Sequence, residues 1–104
     1  MIYVIATIEV APGRRGDFLR EFQQIVAPVR AEQGCLWYEP TLDVETNIAA
    51  QGGVRPNVVT MVEIWDSIAD LEAHLIAPHM IEYRAKVKPM VVSSRLQILE
   101  PAAV

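Results

Sequence analysis

Two stretches of this chain are apolar on residues that a strand wetted on one side would make polar. They are Ile2-Tyr3-Val4-Ile5-Ala6 and Val58-Val59-Thr60-Met61-Val62-Glu63-Ile64-Trp65. Successive side chains of a strand point to opposite faces, so a run without alternation describes a strand covered on both sides. At 104 residues the chain is expected to form one domain, near the lower size at which a core suffices, with no second domain to supply that cover. Its 52% hydrophobic content exceeds what a small soluble monomer needs, and some apolar surface is expected to meet another subunit.

Taken in order, Ile2 to Val10 reads as the first strand, closed by Ala11-Pro12-Gly13. Phe18, Phe22, Ile25, Val26 and Val29 then recur at helical spacing, which predicts an amphipathic helix over Asp17 to Glu32. Pro28 lacks a backbone donor and clashes with the carbonyl four residues earlier, so a kink or a broken last turn is expected there. Gln33-Gly34 stops the helix, Cys35 to Asp43 forms the second strand, and Val44 to Pro56, with Gly52-Gly53, is a loop. Val58 to Trp65 is the third strand. Ser67, with Asp70 three residues on, resembles a capping box opening a helix with Ile68, Leu71 and Leu75 on its apolar face. Pro78 suits a first helical position, and Met80, Tyr83 and Val87 give the next helix its stripe until Pro89 ends or bends it. Arg95 to Glu100 is the fourth strand. The order β, α, β, β, α, β with one extra short helix is the split βαβ, ferredoxin-like arrangement, an α+β fold with an antiparallel sheet.

Composition narrows the function. The net charge is −4, without a cluster of Lys and Arg interleaved with aromatics, which disfavours nucleic acid and anionic membrane as partners. Met1 to Val10 lacks a positive n-region and meets Glu9 too soon for a signal peptide or a membrane span, so a cytoplasmic location is expected. A single cysteine, Cys35, excludes an internal disulfide and any C-x-x-C motif, and reads as a small buried residue rather than a reactive thiol. The chain has no G-x-G-x-x-G, no P-loop and no G-x-S-x-G elbow. His74 and His79 stand five apart with Pro78 between them, which is not the spacing that puts two imidazoles on one helical face, so no metal is expected.

What remains is histidine, glutamate, tryptophan and tyrosine around a mostly apolar space. Such a set suits a flat aromatic diol: rings stack on it, and a neutral imidazole accepts a phenolic proton. His74 lies with Leu71, Leu75 and Pro78 at spacings of three or four, at the edge of the face that packs on the sheet. It reads either as a core histidine bonded to Glu63 or to a carbonyl, or as the catalytic base with Glu63 orienting it or stabilising its charged form. Trp65, Tyr38, Met61, His79 and Tyr83 are the candidate substrate-binding residues. Four of these have a plainer reading: Trp65 and Tyr83 as core, His79 as an exposed residue at a helix N-terminus, Tyr38 as part of a subunit interface.

The run V-T-M-V-E-I-W-D-S-I-A-D-L-E-A-H-L-I-A-P-H-M resembles the signature of the antibiotic biosynthesis monooxygenase family, most of all its small bacterial quinol monooxygenases. The likeness continues in V-I-A-T-I-E-V-A-P-G, E-Q-G-C-L-W-Y-E-P and R-L-Q-I-L-E-P, and so covers nearly the whole chain. It implies a homodimer in which two sheets pack into an α+β barrel, each subunit keeping a cavity between sheet and helices. It also implies oxidation of a quinol or related dihydroxy aromatic by dioxygen with no cofactor, and favours the catalytic reading of His74. Haem-degrading relatives use an Asn, a Trp and a His at positions that look like Ala6, His74 and Arg84 here, so haem degradation is disfavoured. The alternatives are a non-oxidative isomerase of a small metabolite on the same fold and a non-catalytic, ligand-binding stress-response dimer. An isomerase of a phosphorylated substrate would need basic residues at the cavity mouth, for which Arg55, Arg84, Lys86 and Lys88 are the candidates.

Overall fold

The computed structural model describes Met1–Val104. Its elements are β1 (Ile2–Val10), α1 (Arg15–Arg30), β2 (Cys35–Thr41), β3 (Val58–Trp65), α2 (Ile68–Leu75), α3 (Pro78–Val87) and β4 (Val91–Leu99). The four strands form one antiparallel sheet in the order β2-β3-β1-β4. Strands β1 and β3, the two that do not alternate, are the central pair. The arrangement is the ferredoxin-like α+β fold expected.

Pairing register sorts the side chains onto two faces. Val4 sits opposite Glu63, Ala6 opposite Met61 and Leu96, and Tyr38 opposite Glu63. These face the helices, where Phe18, Phe22, Ile25 and Val29 of α1, Leu71 of α2 and Met80, Tyr83 and Val87 of α3 close over them. Fully burying one such aromatic or aliphatic side chain contributes roughly 1.5–3 kcal/mol. The other face carries Tyr3 and Ile5 of β1, Val62 and Ile64 of β3, Trp37 of β2 and Leu99 of β4. No element of the chain covers it, and Trp37 is 53% exposed. Cover on both sides, expected from the lack of alternation, is met by the helices on one side alone; the second face is apolar and open.

Several boundaries differ from expectation for local reasons. Helix α1 starts two residues early, at Arg15, where Asp17 in its first turn pairs with Arg14 and Arg20. It also runs unbroken through Pro28 to Arg30. Pro28 falls in the last turn, so the one carbonyl it deprives is that of exposed Gln24, which water can serve. Strand β2 ends at Thr41, two residues short. Strand β4 begins at Val91 because Ser93 and Ser94, which look like turn residues in sequence, pair with Glu9 and Ile8 of β1 beyond an irregularity at Glu9/Val10. Ile68 is exposed and does not join Leu71 on the packed face of α2. Cys35 is half-buried on the edge strand rather than buried; burial foremost pushes its thiol pKa up, which keeps it protonated and unreactive.

Candidate active site

A tight turn fixes the site. After α1 the chain turns through Gly34, whose φ of 79° lies in the left-handed region that glycine adopts freely. A Cβ there would collide with the Asp70 side chain, so the turn packs directly on the start of α2. Asp66 N–H donates to the Gly34 carbonyl at 2.8 Å, and Ser67 caps α2 by accepting from the Asp70 N–H at 3.1 Å, as the sequence predicted. The α1–β2 turn and the N-terminus of α2 are thereby one packed unit. Glu32, two residues before Gly34, is carried to the far end of that helix.

There Glu32 lies between the two histidines. His74 Nδ1 is 3.0 Å from Glu32 Oε2 and 3.2 Å from Oε1, and His79 Nε2 is 2.7 Å from Oε2. His74 is 2% exposed and sits centrally on the buried face of α2, not at its edge. Its ring lies 4.6 Å from that of Trp65 and 5.5 Å, edge-on, from that of Tyr38. Glu63, expected beside His74, instead accepts from the Trp65 indole N–H at 2.9 Å. Residues 63 and 65 project from the same face of one strand, so the indole reaches that carboxylate without any long-range arrangement.

A cavity of about 430 Å³ opens between sheet and helices. Tyr38, Met61 and Glu63 from the sheet, His74 from α2 and Tyr83 from α3 line it, with Phe18, Phe22, Ala6 and Leu96 among its apolar walls. Four of the seven side chains singled out from sequence as catalytic or binding share this space with His74. Trp65 and His79 do not. Trp65 is fully buried behind His74, and His79 borders a smaller surface pocket with Glu82 and Lys86. Of the four basic candidates, exposed Arg84 and Lys88 border the cavity, Arg84 also donating to the Leu75 carbonyl at 2.6 Å. Arg55 pairs with Asp43, and Lys86 with Glu82.

Burial dominates the electrostatics. It pushes the His74 imidazole below its ordinary pKa; the hydrogen bond and charge of Glu32 oppose this, while His79 and Arg84 add to it. A neutral imidazole at neutral pH is the result. Burial raises Glu63, helped by the charge of Glu32 and opposed by the indole hydrogen bond. Burial likewise raises the phenols of Tyr38 and Tyr83, which stay protonated. The carboxylate-only acceptor Glu32 requires a hydrogen on each nitrogen that meets it, so His74 carries its proton on Nδ1. Nε2 of His74 makes no protein hydrogen bond. Glu32 was not singled out in the sequence: beside Gln33-Gly34 it reads as a solvated helix end, and its partners are 42 and 47 residues away.

The helix-backed, four-stranded antiparallel sheet that carries this cavity is a fold found in other solved structures. The crystal structure of PA3566 from Pseudomonas aeruginosa superposes with a TM-score of 0.80 at 29% identity, over 98% of this chain and 94% of that one. Rv0793 from Mycobacterium tuberculosis also gives 0.80, over 99% of this chain and 96% of that one; at 23% identity it speaks for the fold alone. Residues 1–86 match the model of the antibiotic biosynthesis monooxygenase family, and the chain belongs to that family. It is 41% identical over 103 residues to the Escherichia coli K12 protein called "Probable quinol monooxygenase YgiN", covering 97% of this chain and 98% of that one. No helix of the chain is long and apolar enough to cross a membrane.

Proposed function

We propose that the protein is a cytoplasmic, cofactor-free monooxygenase acting on a quinol or related dihydroxy aromatic, with His74 as the base and the cavity as its site. The observation that carries this is a buried, neutral imidazole with Nε2 unpartnered, in the wall of an apolar space sized for a bicyclic aromatic. His74 Nε2 takes the proton of one substrate hydroxyl. The resulting anion, in an apolar pocket, gives one electron to dioxygen, and the two radicals join in a carbon–oxygen bond. The O–O bond then breaks. One oxygen stays on the ring and the other leaves as water, with the proton returned by His74 and the hydrogen of the attacked carbon. Quinol and dioxygen thus become hydroxyquinone and water, with no external reductant. Tyr38, Met61 and Tyr83 hold the ring, and Glu63 acts as a polar group deeper in the wall.

The reading includes a homodimer. The open face of Tyr3, Ile5, Val62, Ile64, Trp37 and Leu99 lies opposite the cavity, so a second copy packing sheet on sheet would leave each site intact.

Oxygen uptake with a reduced naphthoquinone, on metal-stripped protein, tests the activity. General base catalysis contributes about 10²–10⁴-fold, and His74→Gln is expected to lose kcat/KM by that factor while staying folded. Turnover within a few-fold of the parent, with the same pH dependence, would assign His74 to the core instead.

A further inference from the structure

A carboxylate on a turn would ordinarily rotate in water. Glu32 does not have that freedom: two imidazoles, from α2 and α3, approach the same oxygen, Oε2, at 3.0 and 2.7 Å. Its side chain is 15% exposed, against 2% for His74 and 32% for His79, so the three groups step from the cavity wall to the surface. It is the one carboxylate in hydrogen-bond contact with His74, since Glu63 is engaged by Trp65.

From this geometry we infer that Glu32 is the positioning residue for His74, and that His79 holds Glu32 in place. The carboxylate keeps the imidazole in the tautomer with hydrogen on Nδ1, which leaves Nε2 bare as the atom that takes the substrate proton. As that proton arrives, Glu32 faces the imidazolium through a charge-assisted hydrogen bond and stabilises it. The proton returns to the reduced oxygen, so the pair ends each turnover as it began. The inference rests on His74 being the base.

The other charged or titratable groups near the ring differ in what they can do. Arg84 and His79, from α3, disfavour the imidazolium when positively charged. Tyr38, from β2, meets the ring edge-on, and Glu63, from β3, lines the same cavity. Only Glu32 offers an acceptor to Nδ1.

The test combines kinetics with a direct view of the tautomer. In Glu32→Gln, kcat is expected to fall, by no more than the ~10²–10⁴-fold that a general base contributes, with KM little changed. Glu32 raises the His74 pKa, so the acid limb of the pH–rate profile should move to lower pH in that variant. A packing role would leave the limb in place. His79→Gln keeps a donor for the carboxylate and should approach parental rates, whereas His79→Leu, which lacks one, should fall between parent and Glu32→Gln. Nitrogen-15 NMR of the unsubstituted protein should show hydrogen on Nδ1 of His74 and none on Nε2 near neutral pH, a reading that does not depend on any variant folding. A proton on Nε2, or a Glu32→Gln protein with parental kcat and pH profile, would overturn the assignment. If His74→Gln is inactive while Glu32→Gln is unaffected, positioning fails and the base stands; if His74→Gln is active, both fall.

Discussion

At the scale of single residues, Glu63 shows what a buried carboxylate costs in stability. It is 5% exposed and has one hydrogen bond, from the Trp65 indole. With its folded pKa raised, the native state binds its proton more readily than the unfolded chain does. Glu63 therefore favours folding at acid pH and opposes it increasingly as pH rises from the ordinary carboxylate range through the raised value. Glu63→Gln keeps an acceptor for the indole and removes the buried charge, so at neutral pH its Tm should rise by a few degrees, roughly 1 kcal/mol, while quinol turnover falls. Calorimetry at pH 5 and pH 8 should show the gain growing with pH. His74 has the opposite sign relation: its pKa is depressed, so its contribution is present above the ordinary imidazole value and is lost as pH falls through the window below it. Sequence was informative about His74, because spacing with Leu71 and Leu75 turns it inward. It was misleading about its partner, because a pairing across 42 residues leaves no local pattern and Glu63 was nearer in the chain.

At the scale of elements, the α1–β2 turn joins fold and site. Gly34 has a positive φ and a backbone pressed against Asp70. Gly34→Ala should therefore cost about 2–4 kcal/mol, combining left-handed strain with displacement of the α2 cap, visible as a lower denaturation midpoint. Gly13, with the same φ but open space around it, should lose only the strain on the same substitution, about 1 kcal/mol. Gly34 was legible as a helix stop; that the stop also sets Glu32 against two histidines was not, since that depends on where α2 and α3 pack. The start of β4 was missed for a related reason. Two serines have weak strand preference, and only the ladder to β1 places them in the sheet.

At the scale of the whole molecule, the sequence carried a fact that one chain does not satisfy. The lack of alternation in β1 and β3 asks for two covers, and one chain supplies one. If a second copy supplies the other, unfolding is linked to dissociation and Tm should climb with concentration, each tenfold rise adding about 1.4 kcal/mol per dimer. Light scattering should give twice the chain mass at micromolar concentration. Ile5→Lys, a charge at the centre of the open face, should abolish both effects, while a monomeric parent would refute the arrangement. The cavity was expected from the family resemblance, though not which side chains line it: Trp65 and His79 were as plausible as Tyr38 until the packing assigned them elsewhere.

Strand β4 forms part of the cavity wall through Val91, Ser94 and Leu96, yet it is an edge strand bonded to β1 alone. The walls on β1 and β3 are each held by two ladders. Local opening free energies in a protein run from near zero up to the global value, and a strand with one neighbour belongs toward the lower end. The β4 side of the cavity is thus expected to open locally more readily than its β1 and β3 walls. Hydrogen exchange along Val91–Leu99, compared with that of β1 and β3, would read the fluctuations of this cavity wall.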